Sequence, residues 1–73
     1  MKEFKTKKKV ISDIMSILEE EIDINTLLME DSKGLAKSTK DNITKEFLLT
    51  KSEEYSAIVF ELKELKKRIN KCL

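Results

Sequence analysis

The side chains of this 73-residue chain that are suited to chemistry are few: one cysteine, Cys72, a cluster of acids at Glu19, Glu20, Glu21 and Asp23, and lysines crowded at both ends. Histidine is absent. That removes the side chain that titrates nearest neutrality and the commonest general base and metal ligand. A cysteine attacks as its thiolate, which needs a cation or base beside it in a pocket; Cys72 has Lys71 and the chain end, so it reads as a small apolar residue. Carboxylate helices hold iron through Glu-x-x-His, which a chain without His cannot assemble. Asp23-Ile24-Asn25 opens like a calcium loop but puts Leu28 where that loop requires glycine. The acids therefore read as a solvated face or a surface for the chain's own lysines. Asn42-Ile43-Thr44 spells a glycosylation acceptor, which carries no meaning in a cytosolic chain. The expectation is a protein that is not an enzyme, with no cofactor and no metal.

The lysines are the remaining candidates. Lys2, Lys5, Lys7, Lys8 and Lys9 form a basic arm, and Lys66, Lys67, Arg68 and Lys71 a second basic block. In an antiparallel hairpin the two blocks meet at one end, where they could attract phosphate, acidic lipid headgroups or an acidic protein. The candidate contacts for an anionic partner are Lys5, Lys7, Lys8, Lys9, Lys66, Lys67, Arg68 and Lys71. Nucleic-acid binding is the second-ranked function, because the net charge is only +1 and there is a single arginine. Lys-Glu-Phe-Lys-Thr-Lys could serve as the strand of a ribbon-helix-helix dimer, but Phe4 alone would fill its inner face.

The elements that must position these groups are helical. One glycine and no proline leave out the turn vocabulary of hairpins and sandwiches, while 40% apolar and 40% charged residues, set out periodically, argue against disorder. Charge is blocked along the chain: residues 10–31 hold seven acids and no base, between basic stretches on both sides. Ile11, Met15, Leu18, Ile22 and Met29, passing through Asn25, keep to one face of a helix, and Val10, Ile14, Ile17, Ile24 and Leu28 repeat the pattern one residue earlier. Together they make a stripe wide enough to touch two neighbours. Downstream, Tyr55, Ile58, Leu62, Leu65, Ile69 and Cys72 alternate steps of three and four, the spacing of a coiled-coil seam, which Leu48 continues upstream and Val59 and Phe60 widen.

These patterns predict a basic arm over 1–9, helix 1 over 10–31, a turn over 32–40 with Gly34 as a left-handed C-cap, and helix 2 over 41–72, all in one domain spanning 1–73. Ser38 with Asp41, or Thr39 with Asn42, offers the N-cap of helix 2. Leu35 and Ala36 could instead carry helix 1 through the glycine, and the capping-box pattern at Thr50-Lys51-Ser52-Glu53 offers a break that would make three helices. Residues 36–44 resemble a stretch of the vesicle-fusion Q-SNARE helices over nine positions, but the chain has no glutamine to supply that family's ionic layer, and nothing is carried over from it.

The resulting fold class is all-α: an antiparallel helical hairpin with coiled-coil-like packing. A domain this small buries only about 60% of the surface its unfolded chain exposes, so completion as a bundle, by self-association or by a partner protein, is expected. The expected function is that of a small helical adaptor, assembly subunit or inhibitor. Its interaction face is Ile11, Ile14, Leu18 and Ile22 against Tyr55, Ile58, Leu62, Leu65 and Ile69. A lone cysteine, the lack of a signal-peptide pattern and apolar runs of at most four residues place the expected site of action in the cytoplasm, with no transmembrane segment.

Overall fold

The computed structural model describes the backbone of residues 2–71 and the side chains of 6–71. It consists of two helices, α1 (Lys2–Ser38) and α2 (Asn42–Lys71), packed against each other and joined by residues 39–41. No strand occurs among the described residues. The pair is a rod of 61 × 15 × 12 Å, close to the roughly 55 Å that 37 helical residues span.

Helix α1 starts at Lys2, so the stretch expected as an arm is helical, as lysine's good helix propensity allows. Gly34 lies inside α1 without a left-handed conformation, and the connection shrinks from the expected 32–40 to residues 39–41. The reason is visible two residues on. Ala36 is 1% exposed, and keeping it packed outweighs the roughly 1 kcal/mol that an internal glycine costs. Helix α2 is continuous through Thr50–Glu53, so the third helix does not form.

Local chemistry sets the connection. At the end of α1 the hydroxyls of Thr39 and Ser38 donate to the Leu35 carbonyl at 2.7 and 3.1 Å, satisfying an acceptor that has no helical partner. Asp41, rather than Ser38 or Thr39, caps α2. Its carboxylate accepts the Thr44 backbone N–H at 3.1 Å and the Thr44 hydroxyl, and its carbonyl accepts the Lys45 N–H at 2.9 Å.

The contact between the helices follows heptad spacing on both. On α1 it runs through Ile11, Met15, Leu18, Ile22, Asn25, Met29, Ser32 and Ala36; on α2 through Leu48, Ser52, Tyr55, Val59, Leu62, Lys66 and Ile69. Every one of these is buried or half-buried. Near the connection the seam is built of small side chains. Ala36 and Ser52, at 1% and 2% exposure, let the two backbones approach closely, and the Ser52 hydroxyl donates to the Met29 carbonyl at 3.3 Å across the interface. This bond and a Lys66–Glu19 ion pair of 2.9 Å fix the antiparallel register. Ser32 then lies level with Ser52, and Leu18 level with Lys66. Buried Asn25 turns its amide back to the Glu21 carbonyl at 2.8 Å. Among the described residues no buried side-chain polar atom lacks a hydrogen bond.

Candidate interaction surface

The hairpin seam uses only part of the apolar surface of its helices. Among the described residues, Leu18, Ala36 and Val59 are the apolar side chains that become fully buried, whereas thirteen large apolar ones remain exposed. Six of these thirteen form a second row on α1: Val10, Ile14, Ile17, Ile24, Leu28 and Leu35. They sit one residue before each seam position, with Glu21 and Asp31 at the interruptions. One residue is about 100° of rotation, so the row lies beside the seam and not behind it.

On α2, Ile58 and Leu65 occupy the corresponding positions, one residue before Val59 and Lys66, and Phe47 the position one before Leu48. Residues preceding the seam on two antiparallel helices flank it on the same side of the pair. Nine of the thirteen exposed apolar residues therefore belong to one broad face of the rod. Its polar members are Glu21 and Asp31 on α1 and Lys51, Glu54, Glu61 and Arg68 on α2. Lys51 lies 5.5 Å over the Phe47 ring and pairs with Glu54 at 3.2 Å, so its stem covers apolar surface while its charge is held locally.

The opposite side carries the exposed Leu49 and Phe60, one residue after Leu48 and Val59, and a polar groove. Glu19, Ile22 and Asp23 of α1 and Lys63, Lys66 and Lys67 of α2 line an open groove there. Acids from one helix face lysines from the other, and the Glu19–Lys66 pair closes part of it. This is where the acidic cluster and the basic block predicted from the sequence meet. Lys67 pairs within its own helix with Glu64 at 3.4 Å.

The residues expected to form the interaction face divide between the two surfaces. Ile11, Leu18, Ile22, Tyr55, Leu62 and Ile69 lie in the seam between α1 and α2; Ile14, Ile58 and Leu65 lie on the outer face. The spacing Tyr55, Leu62, Ile69 is common to two candidate seams, one completed by Ile58 and Leu65 and one by Val59 and Lys66. The helices close on the second. Ser52 and Val59 are smaller than Lys51 and Ile58 and permit a nearer approach, while Lys66 keeps its ammonium at Glu19 and lays its stem against the seam. The sequence signal for this choice was the small residue at Ser52, in line with Leu48.

Lys7, Lys8 and Lys9 are exposed on the early turns of α1, and the antiparallel arrangement puts them at the same end of the rod as Lys66, Lys67, Arg68 and Lys71. The side chain of Lys5, and Cys72 entirely, lie outside the described residues. Asp41 has a carboxyl held below its ordinary 3.8, first by the hydrogen bond from the Thr44 hydroxyl and next by the Thr44 N–H, as expected of a helix cap. Among the described residues no group of three or more cysteine, aspartate or glutamate side chains is gathered to hold a metal ion, and no helix is long and apolar enough to cross a membrane. Comparison with protein-family models, with characterised proteins and with solved structures finds no match to this chain.

Proposed function

We propose that the protein is a helical interaction module that acts by presenting one apolar face of its hairpin to another polypeptide, as an assembly subunit, adaptor or inhibitor and without catalysis of its own. The observation that carries this reading is that nine of the thirteen exposed large apolar residues, among them a row of six on α1, lie on one side of the hairpin. Single exposed apolar residues are ordinary on a protein surface, whereas an exposed row of six along one helix, interrupted at two positions, marks a contact site.

A second reading rests on the basic end of the rod: a small regulator that binds nucleic acid through Lys7, Lys8, Lys9, Lys66, Lys67, Arg68 and Lys71. It is the weaker one, because Lys66 and Lys67 already pair with Glu19 and Glu64.

The test is copurification of the tagged full chain from its native source, with mass in solution measured on the recovered material. The proposal expects a stoichiometric protein partner, either another chain or a further copy, that is lost in an Ile24→Asp variant. A chain recovered alone and monomeric overturns it. Retention on duplex or RNA at low salt, weakening steeply as salt rises, would transfer the function to the basic end.

A further inference from the structure

Building on the proposed interaction role, we infer that the occupant of the outer apolar face is a second copy of this chain, packed by a two-fold axis into an antiparallel four-helix bundle. Area is the first argument. A compact monomer of 8.5 kDa exposes roughly 4,700 Å², and this chain exposes 6182 Å². The excess is about 1,500 Å² per chain, and covering it on two copies gives an interface of the size typical of obligate homodimers, about 2,000–5,000 Å² in total.

Self-complementarity is the second argument. A two-fold axis crossing the middle of the rod, at right angles to the helices, stacks α1 on α1 and α2 on α2 of the second copy, each pair antiparallel. Centred on the outer face, that single operation sets Ile17 against Leu28 of the second copy and Val10 against its Leu35, while Ile14 falls opposite Asp31 and Ile24 opposite Glu21. In the register fixed by the hairpin, the same axis sets Ile58 against Leu65 and brings Arg68 to within one residue of Glu54. One axis thus pairs six of the nine apolar positions of the face with one another and brings Arg68 near Glu54 of the second copy, while Ile14, Ile24 and Phe47 gain no apolar counterpart and Glu61 approaches Glu61 of the second copy. A lipid surface fits this face less well, because Glu21, Asp31, Glu54 and Glu61 would all be pressed toward anionic headgroups.

Sedimentation equilibrium of the purified full chain, with no other protein present, tests the inference. The wild type is expected at twice 8.5 kDa. Two charge variants carry the geometry: Ile17→Lys with Leu28→Lys, and Ile17→Glu with Leu28→Glu. Each alone is expected to lose the dimer, through like charges facing each other across the axis, and an equimolar mixture is expected to restore the double mass and the helical circular dichroism. Recovery on mixing reads the contact even where a variant alone fails to fold. A monomeric wild type overturns the inference, as do variants that stay dimeric alone or a mixture that recovers neither mass nor helicity. A wild type monomeric in buffer that sediments with phosphatidylserine vesicles also overturns it, assigning the face to lipid. A monomeric wild type that still copurifies one-to-one with a different protein refutes the homodimer and leaves the interaction role standing.

Discussion

Gly34→Ala separates two accounts of how this chain turns. If Gly34 ended a helix in the left-handed conformation, a β-carbon there would be strained and alanine would destabilise the protein. In the structure Gly34 is an exposed interior residue of α1 without positive φ, and a β-carbon there would meet nothing within 4 Å beyond its chain neighbours and the backbone of its own helix. The substitution then removes only the entropic penalty of glycine in a helix, so alanine is expected to stabilise each chain by about 0.8–1.0 kcal/mol. For a domain of this size that corresponds to a rise in thermal midpoint of roughly 4–8 °C. The assay is thermal unfolding followed by far-ultraviolet circular dichroism, with wild type and variant at one protein concentration, because self-association would make the midpoint depend on it. A midpoint that falls or does not move refutes the continuous helix and returns the turn to residues 32–40.

The small residues near the connection and the cap of α2 give two further expectations. Ser52→Leu puts a large side chain where Ser52 is 2% exposed and its hydroxyl reaches the backbone of α1, so it should cost about 1–3 kcal/mol by overpacking, while Ser52→Ala should lose no more than about 1.5 kcal/mol for the hydrogen bond to Met29; urea titration measures both, and a tolerated leucine contradicts the close approach. Asp41→Ala should lower the thermal midpoint and Asp41→Asn should not, since asparagine caps as well as aspartate. Because the folded Asp41 carboxyl ionises below its ordinary 3.8, the stabilisation from its charge is complete above that value and is lost as pH falls through the lowered one. Measured across an acid pH series against Asp41→Asn, which does not titrate at this position, the wild type should therefore lose relative stability only at the acid end.

Much of this was legible from the sequence because helical periodicity is a property of residue type alone. The seam on α1 and the row beside it were both readable in the spacing of Ile, Leu, Val and Met, including the deviation at Asn25. The limits of α1 were not. The lysines of residues 2–9 carry no apolar period, and what extends the helix through them is backbone propensity, which a search for amphipathic faces does not register. Gly34 was ambiguous for a different reason: a glycine signals a turn only if the residues after it have nothing to pack against, and the burial of Ala36 depends on where α2 lies. The same dependence hid the α2 seam. Tyr55, Leu62 and Ile69 belong to two faces at once, and the choice between Ile58 and Val59 is made by how closely the other helix can come.

That choice has a consequence for what each surface is suited to do. Asn25, Ser32, Ser52 and Lys66 all sit in the seam between the helices, positions where apolar side chains would bury more area. Polar residues at such positions cost stability and fix alignment, since a slip would separate Ser52 from Met29 and Lys66 from Glu19. The outer face holds nine exposed Ile, Leu, Val and Phe residues among six charged ones, and at about 25 cal/mol per Å² of apolar surface its cover would add to what the hairpin's own core contributes. In the proposed bundle, a chain arranged in this way specifies its hairpin from within and gains further stability from the copy that covers its face. Folding and association are then expected to be coupled, and helicity that falls on dilution is the behaviour that follows from the proposed bundle.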